Sequence, residues 1–443
     1  MIRWCCFSLV SLALVSCAHS QVVPPGPSFA SNLTEQSNAI PQKINHVVII
    51  VQENRTPDNL FQGLPGADIR DWGLNSYGQR VSLRPVSFVA HYDLSHEHDA
   101  FVTEYDRGKM DGWNLEVSTK RCRAKTTCAY GYVPRSETKP YFQMAQEYAF
   151  ADRMFQSNQG PSYPAHQYLV SGDSAALPIS QNNVSSNPIK TAHGMGGGCD
   201  SRPSTRVYTI APPIGSQEGN PLFPCFDRPT LSDLLDAKGL SWRYYQDHRA
   251  DGLWNAFDSI RHVRYGQDYR NVVWPTTTIL TDIANSDLAN VAWVMPPTED
   301  SDHAGPGASV NGPTWVAAIV NAIGRSRYWD QTAIIITWDD WGGWYDHVRP
   351  TIYNSYELGF RVPLIVISPY AKKAYVSHVH HEFGSILKFV EDRFDLGSLG
   401  TTDARSDDLK DCFDFLHQRR EFVRIKAPQF HPSPSDGLGE EDP

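Results

Sequence analysis

The sequence predicts an α/β protein built on one central, mostly parallel sheet. Short apolar, β-branched runs stand between polar segments: Val47 to Val51 in INHVVIIVQENRTPDNLF (44–61) and Ala333 to Thr337 in TAIIITWDDWGGWYDH (332–347). A continuous apolar run of that length, bounded by polar residues, reads as a strand covered on both faces. Helical patterns alternate with such runs. In PTLSDLLDAKGLSWRYYQD (229–247) a helix stops at Gly239 and a strand follows, one α/β step of a wound sheet.

The chain opens on a targeting segment. Arg3 supplies its charge and Phe7 to Val15 its apolar core, too short to span a bilayer as a mature helix. Leu14-Val15-Ser16-Cys17 reads as a lipoprotein-type signal over 1–17, with Cys17 lipidated and the only membrane contact. Ordinary cleavage after Ala18-His19-Ser20 is the alternative, with the product secreted. Residues 18–42, rich in Pro, Ser, Asn and Gln, read as a flexible tether. A single domain then covers 43–420, and the Pro-rich, acidic stretch 421–443 reads as a peripheral tail. The formal net charge is −10 with no block of Lys or Arg, which argues against a nucleic-acid partner.

After the first strand, 62–90 is turn-rich. HYDLSHEHDAFVTEYDRGKMDGW (91–113) carries His91, His96 and His98 into an amphipathic helix. Residues 114–140 read as a surface insertion, followed by a helix over 141–149. Gly160-Pro161 force a turn, and a helix starts near Pro164. Ser162 therefore sits at a helix N-terminus, where free N–H groups suit a phosphate and where a serine also serves as a cap. Residues 180–225 read as a long loop bordering the site. A strand Ala292–Met295 delivers His303 beyond its exit. A helix over 313–324, a strand in RVPLIVISPYA (361–371) and a helix over 380–394 complete the order, with His378, His380 and His381 read as the start of that helix.

Outside the leader, Cys122 and Cys128 lie close together in a polar loop, and Cys199 and Cys225 bracket a Gly/Pro-rich region. In an exported protein each pair is expected to form a disulfide, leaving Cys412 as a buried thiol.

Both principal strands end in oxygen-bearing side chains: Glu53 and Asn54 after the first, Asp339 and Asp340 after the second. Ligands bind beyond the carboxyl ends of strands in open α/β sheets. One such pair alone reads as a turn or cap. Two pairs in the same context supply three carboxylates and an amide oxygen, a set that suits a hard or borderline divalent cation.

The runs QENRTPDNLF, NQGPSYPAHQYLVSG (158–172), SDH (301–303) and DDWGGWYDH resemble, in that order, the bacterial phosphoesterase family of phospholipases C and acid phosphatases. The resemblance implies an alkaline phosphatase-like three-layer sandwich with long loop insertions, and hydrolysis of phosphate esters. It implies Ser162 as the hydroxyl nucleophile and one divalent metal ion held by Glu53, Asn54, Asp339, Asp340 and Ser162. His96, ahead of the Gly108–Gly112 run GKMDG, and His303 then bind phosphoryl oxygens or protonate the leaving group, and His347 binds substrate. Many phospholipase C members carry Ser-Phe where this chain has Thr56-Pro57. Many carry Thr and Asn-Arg at Ser162 and Ala165-His166, and Asp-Glu at Asp339-Asp340. These departures lean towards the acid phosphatase branch, with phospholipase C activity as the alternative. A non-catalytic phosphate-binding protein on the same fold would lack a nucleophile or ligand, and none is missing.

Overall fold

The computed structural model describes residues 43–432 apart from 117–121, 123–124, 178–181, 190–195, 212–218, 220, 248–251, 306 and 418. The leader and tether expected over 1–42, and the tail beyond 432, lie outside the described residues. Eight strands form the main sheet: β1 (His46–Gln52), β2 (Ala149–Ala151), β3 (Trp242–Tyr245), β4 (Val272–Val273), β5 (Val291–Val294), β6 (Thr332–Trp338), β7 (Leu364–Ile367) and β8 (Tyr375–Ser377). Their order is β4-β3-β5-β1-β6-β7-β2-β8. Only β7 runs against the others, pairing antiparallel with β6 and β2. Every other neighbouring pair is parallel.

β1 and β6 are the centre. They pair in register from His46↔Thr332 to Gln52↔Trp338. All of β6 and all of β1 except His46 are buried, which is why both read as unbroken apolar runs. Each fully buried Val or Ile there contributes roughly 1.5–3 kcal/mol of apolar burial. Helices cover both faces. The Trp293 indole of β5 turns to the helix Ser162–Ser171 and donates to the Leu169 carbonyl at 3.2 Å. The Trp338 ring of β6 turns to the opposite face and meets Tyr141 of the helix Arg135–Glu147 edge-on, with centroids 5.1 Å apart. The result is the expected three-layer α/β arrangement.

Three boundaries differ from expectation. The helix expected over 141–149 starts at Arg135 and carries Pro140 inside it. Nor is 114–140 a surface insertion throughout: Cys128, Ala129 and Tyr130 pack into a buried aromatic cluster with Trp113, Trp344 and Tyr345. The beginning of the tail is not peripheral. Ile425 is buried, and the Asn321 amide bonds both its N–H and its carbonyl at 2.9 Å, while the Phe422 ring lies 5.0 Å from Trp329. Phe422, Ile425, Ala427 and Phe430 all pack against the core, so the segment docks on the domain despite its polar composition. The 180–225 loop contains a short antiparallel pairing of Asn183–Val184 with Thr209–Ile210.

Disulfides join Cys122 to Cys128 and Cys199 to Cys225, and Cys412 is a buried free thiol. Among the described residues, no helix is long and apolar enough to cross a membrane.

Candidate active site

Because β1 and β6 are parallel and in register, their carboxyl ends lie side by side. The Asp339 N–H continues the ladder to the Gln52 carbonyl at 2.9 Å. Asn54 then adopts a left-handed conformation, φ 60°. That turn aims its N–H at Asp339 Oδ1, 3.0 Å away. The same oxygen accepts the Asp340 N–H at 2.8 Å, and Asp340 Oδ1 accepts the Gly342 N–H at 2.7 Å. Gly342 is needed here: a Cβ at that position would fall 2.4 Å from the Asn54 carbonyl oxygen. The two acidic pairs, 285 positions apart between Asn54 and Asp339, thus form one hydrogen-bonded unit.

Ser162 arrives from the other direction, as the first residue of the buried helix Ser162–Ser171. Its Oγ lies 3.1 Å from Asp340 Oδ2 and 3.4 Å from Glu53 Oε2. One turn further along, His166 Nε2 lies 3.1 Å from Glu53 Oε1 and 3.7 Å from Asp339 Oδ2. The two oxygens of Glu53 therefore face two different side chains of one helix. The spacing from Ser162 to His166 is one helical turn, which puts both on the same face. That spacing is the one signal in the sequence that points to His166.

His96 and His303 border the cluster. His96 Nδ1 lies 2.8 Å from the Leu94 carbonyl oxygen, and its Nε2 lies 3.1 Å from the Asn54 side-chain amide. The His303 ring stands edge-on to His96, centroids 5.9 Å apart, with Nδ1 on the Ala304 carbonyl. The loop carrying His303 is tied to the end of β1 by Gln52. Its amide donates to the Asp300 carbonyl at 3.0 Å and accepts the Asp302 N–H at 2.9 Å. Asp302 is itself held by the Tyr141 hydroxyl at 2.9 Å and the Trp338 indole at 3.0 Å.

His347 is not brought to this cluster. Its Nδ1 lies 2.7 Å from Asp58 and its Nε2 3.0 Å from Asp68. Both ring nitrogens are thus committed in a separate network that also holds Arg361 between Asp346 at 2.9 Å and Asp58 at 3.5 Å. The expected substrate-binding role gains nothing from this placement, because the carboxylates occupy the atoms that would contact substrate.

Burial and crowding shift the titration of the cluster's groups. Burial, and then repulsion from Asp339 and Asp340, push Glu53 well above the usual carboxylate range. Burial and Asp339 do the same to Asp340. Burial lowers His166 to about 4, against the pull of Asp339, so its ring is neutral. Burial also acts to lower His96, but Asp340, Asp93 and Glu97 outweigh it and raise the ring to about 9. His303 is lowered, chiefly by burial.

A cation fits this arrangement. Asn54 Oδ1 and Asp339 Oδ2 are buried and accept no hydrogen bond from the described residues. Buried oxygens of that kind are costly unless something satisfies them. Glu53, His166 and Asp339 each place a ligand atom within 4.8 Å of the others. Three carboxylates this close repel one another without positive charge between them.

Buried acidic side chains at the carboxyl edge of a parallel sheet, faced by a helix-borne serine, make this an α/β protein with a candidate metal site. The chain belongs to the Phosphoesterase family, whose model matches residues 44–397. It is 24% identical to the non-hemolytic phospholipase C of Pseudomonas aeruginosa, over 85% of this chain and 58% of that protein. It is 23% identical to phospholipase C B of Mycobacterium tuberculosis, over 84% of this chain and 78% of the relative. The chain thus spans little more than half the length of the Pseudomonas relative. Among solved structures, a protein in the alkaline phosphatase superfamily from Vibrio parahaemolyticus aligns over 82% of this chain and 70% of its own, with 11% identity and a TM-score of 0.37.

Proposed function

We propose that this chain hydrolyses phosphate esters, with Ser162 as nucleophile and a divalent metal ion held by Glu53, Asn54, Asp339, Asp340 and Ser162. The observation that carries the reading is the position of Ser162 Oγ, at a helix N-terminus and 3.1 Å from Asp340 Oδ2. When bound, the ion would lower the pKa of the serine hydroxyl and offset charge on the phosphoryl oxygens. In the first turn the Tyr163 N–H donates to Asn187 Oδ1 at 2.9 Å, the Ala165 N–H to the Pro161 carbonyl at 3.3 Å, and Pro164 has none, so the Ser162 N–H is the backbone donor offered to the phosphate. Ser162 Oγ gives up its proton on the carboxylate side and bonds to phosphorus as the P–O bond to the leaving group breaks. His96, which carries a proton on its raised ring, supplies the one that the leaving oxygen takes, with His303 packed beside it. Water then bonds to phosphorus as the P–Oγ bond breaks; the carboxylate returns its proton to Ser162 Oγ, and the proton lost by the water restores the His96 ring. His166, buried beside Glu53, helps keep bulk water from the inner side of the cluster.

The substrate reading that the chain's own departures favour is an acid phosphatase-like monoesterase. The matched relatives are named phospholipase C, which favours a second reading, cleavage of phospholipid head groups. The two disulfides support an exported protein; lipid attachment at Cys17 would then be its membrane contact. Metal-loaded protein assayed side by side on a chromogenic phosphomonoester and a chromogenic phosphorylcholine diester separates the readings. Faster monoester turnover supports the first, faster diester turnover the second, and no turnover of either refutes the proposal.

A further inference from the structure

We propose that His166 is a nitrogen ligand of the metal ion, and that it tunes the site to borderline divalent ions such as Mn²⁺, Co²⁺ or Zn²⁺ rather than Mg²⁺ or Ca²⁺. The inference rests on the metal-site reading above and adds a donor of a different chemical kind. Its ground is geometry. His166 Nε2 is 3.1 Å from Glu53 Oε1 and 3.7 Å from Asp339 Oδ2, and all three groups are buried. A plain hydrogen bond from the imidazole to Glu53 explains the first distance only. It leaves Asp339 Oδ2, 3.7 Å from the same nitrogen, buried and accepting no hydrogen bond from the described residues. A cation between the three atoms satisfies all of them.

The rest of the geometry agrees. Asp339 Oδ1 is already used by the Asn54 and Asp340 N–H groups, so Oδ2 is the oxygen left for a ligand bond. Glu53 is turned so that Oε1 faces His166 while Oε2 faces Ser162. His166 Nδ1 is buried and makes no hydrogen bond to the described residues, so the ring's polar contacts are those with the cluster. Hard ions such as Mg²⁺ take oxygen ligands, whereas imidazole suits transition metals. An all-oxygen set would leave the choice of ion open, and one imidazole in the shell narrows it.

The test is pulsed electron paramagnetic resonance on Mn²⁺-loaded full-length protein, run on the parent and on His166→Gln and His96→Gln. The expected result is modulation from a directly bound ¹⁴N in the parent, retained in His96→Gln and lost in His166→Gln. In the same samples, the Mg²⁺ concentration that displaces half of the Mn²⁺ should fall in His166→Gln. Stoichiometric Mn²⁺ with no bound nitrogen in the parent, or with the nitrogen signal intact in His166→Gln, overturns the inference and leaves the metal-site reading standing. Failure of folded parent protein to take up Mn²⁺ overturns both. The parent spectrum alone decides the matter if the glutamine variant does not fold.

Discussion

Cation binding to this protein should release protons, and its affinity should climb with pH. Glu53 and Asp340 are fully buried, and both are pushed well above the ordinary carboxylate range, first by burial and then by neighbouring carboxylates. In the metal-free protein they hold protons at pH values where an exposed carboxyl has lost them. A cation stabilises the ionised forms and expels those protons. Each proton released makes the affinity rise tenfold per pH unit, about 1.4 kcal/mol. With both carboxyls contributing, the limit is about a hundredfold per unit, or about 2.7 kcal/mol. His96 acts with the same sign: Asp340 helps to hold its ring at about 9, and a cation beside Asp340 weakens that hold. The sign for stability follows from the same shifts. The folded, metal-free protein binds more protons here than the unfolded chain, so its stability falls as pH rises above the ordinary carboxylate range. Metal reverses that loss. Isothermal titration of Mn²⁺ in buffers of different ionisation heat, at two pH values one unit apart, counts the protons directly. Release of about one proton or more, with a matching rise in affinity, is expected. Binding with no proton release and no pH dependence would refute the electrostatic account of the cluster.

Other perturbations probe the scaffold. Arg361→Met leaves Asp346 buried without its guanidinium partner, and urea titration should show a loss of roughly 3–5 kcal/mol; a variant as stable as the parent would show that the network contributes nothing to the fold. His262 is raised to about 9, first by its bond to Asp233, against burial, and also by Asp227. Its contribution is fully present below the ordinary histidine pKa and is lost as pH rises through about 9, so His262→Gln should destabilise in mild acid and approach the parent at high pH. An equal gap at both extremes would contradict it. Replacing Cys199 and Cys225 together by Ser opens a loop closed across 26 positions, which should cost roughly 3.5 kcal/mol in a denaturant melt; no change in midpoint would mean that this crosslink does not constrain the unfolded chain.

What was legible in the sequence follows from physics with a short range. β1 and β6 could be read because a strand buried on both faces needs an unbroken apolar run, and both runs end where Glu53, Asn54, Asp339 and Asp340 begin. The helix at Ser162 was announced by Gly160-Pro161 and Pro164. Side-chain partnerships across long separations were not legible. Nothing local shows that His347 meets Asp58, 289 positions away, or that Gln52 ties down the segment around Asp302. His166 was within reach, because helix periodicity aligns it with Ser162. Ile425, Phe422 and Phe430 were hidden by the polar composition around them, since a few scattered apolar side chains suffice to dock an irregular segment.

The central claim is that Ser162 attacks phosphorus from a site organised by the two acidic pairs. It is tested most directly by incubating metal-saturated protein with a chromogenic phosphate ester, quenching in acid, and measuring the mass of the peptide that contains Ser162, in the parent and in Ser162→Ala. The account predicts a phosphoryl adduct on that peptide in the parent, none in the variant, and turnover lower by about a thousandfold or more in the variant. Undiminished turnover in Ser162→Ala, or an adduct mapped to another residue, would contradict it.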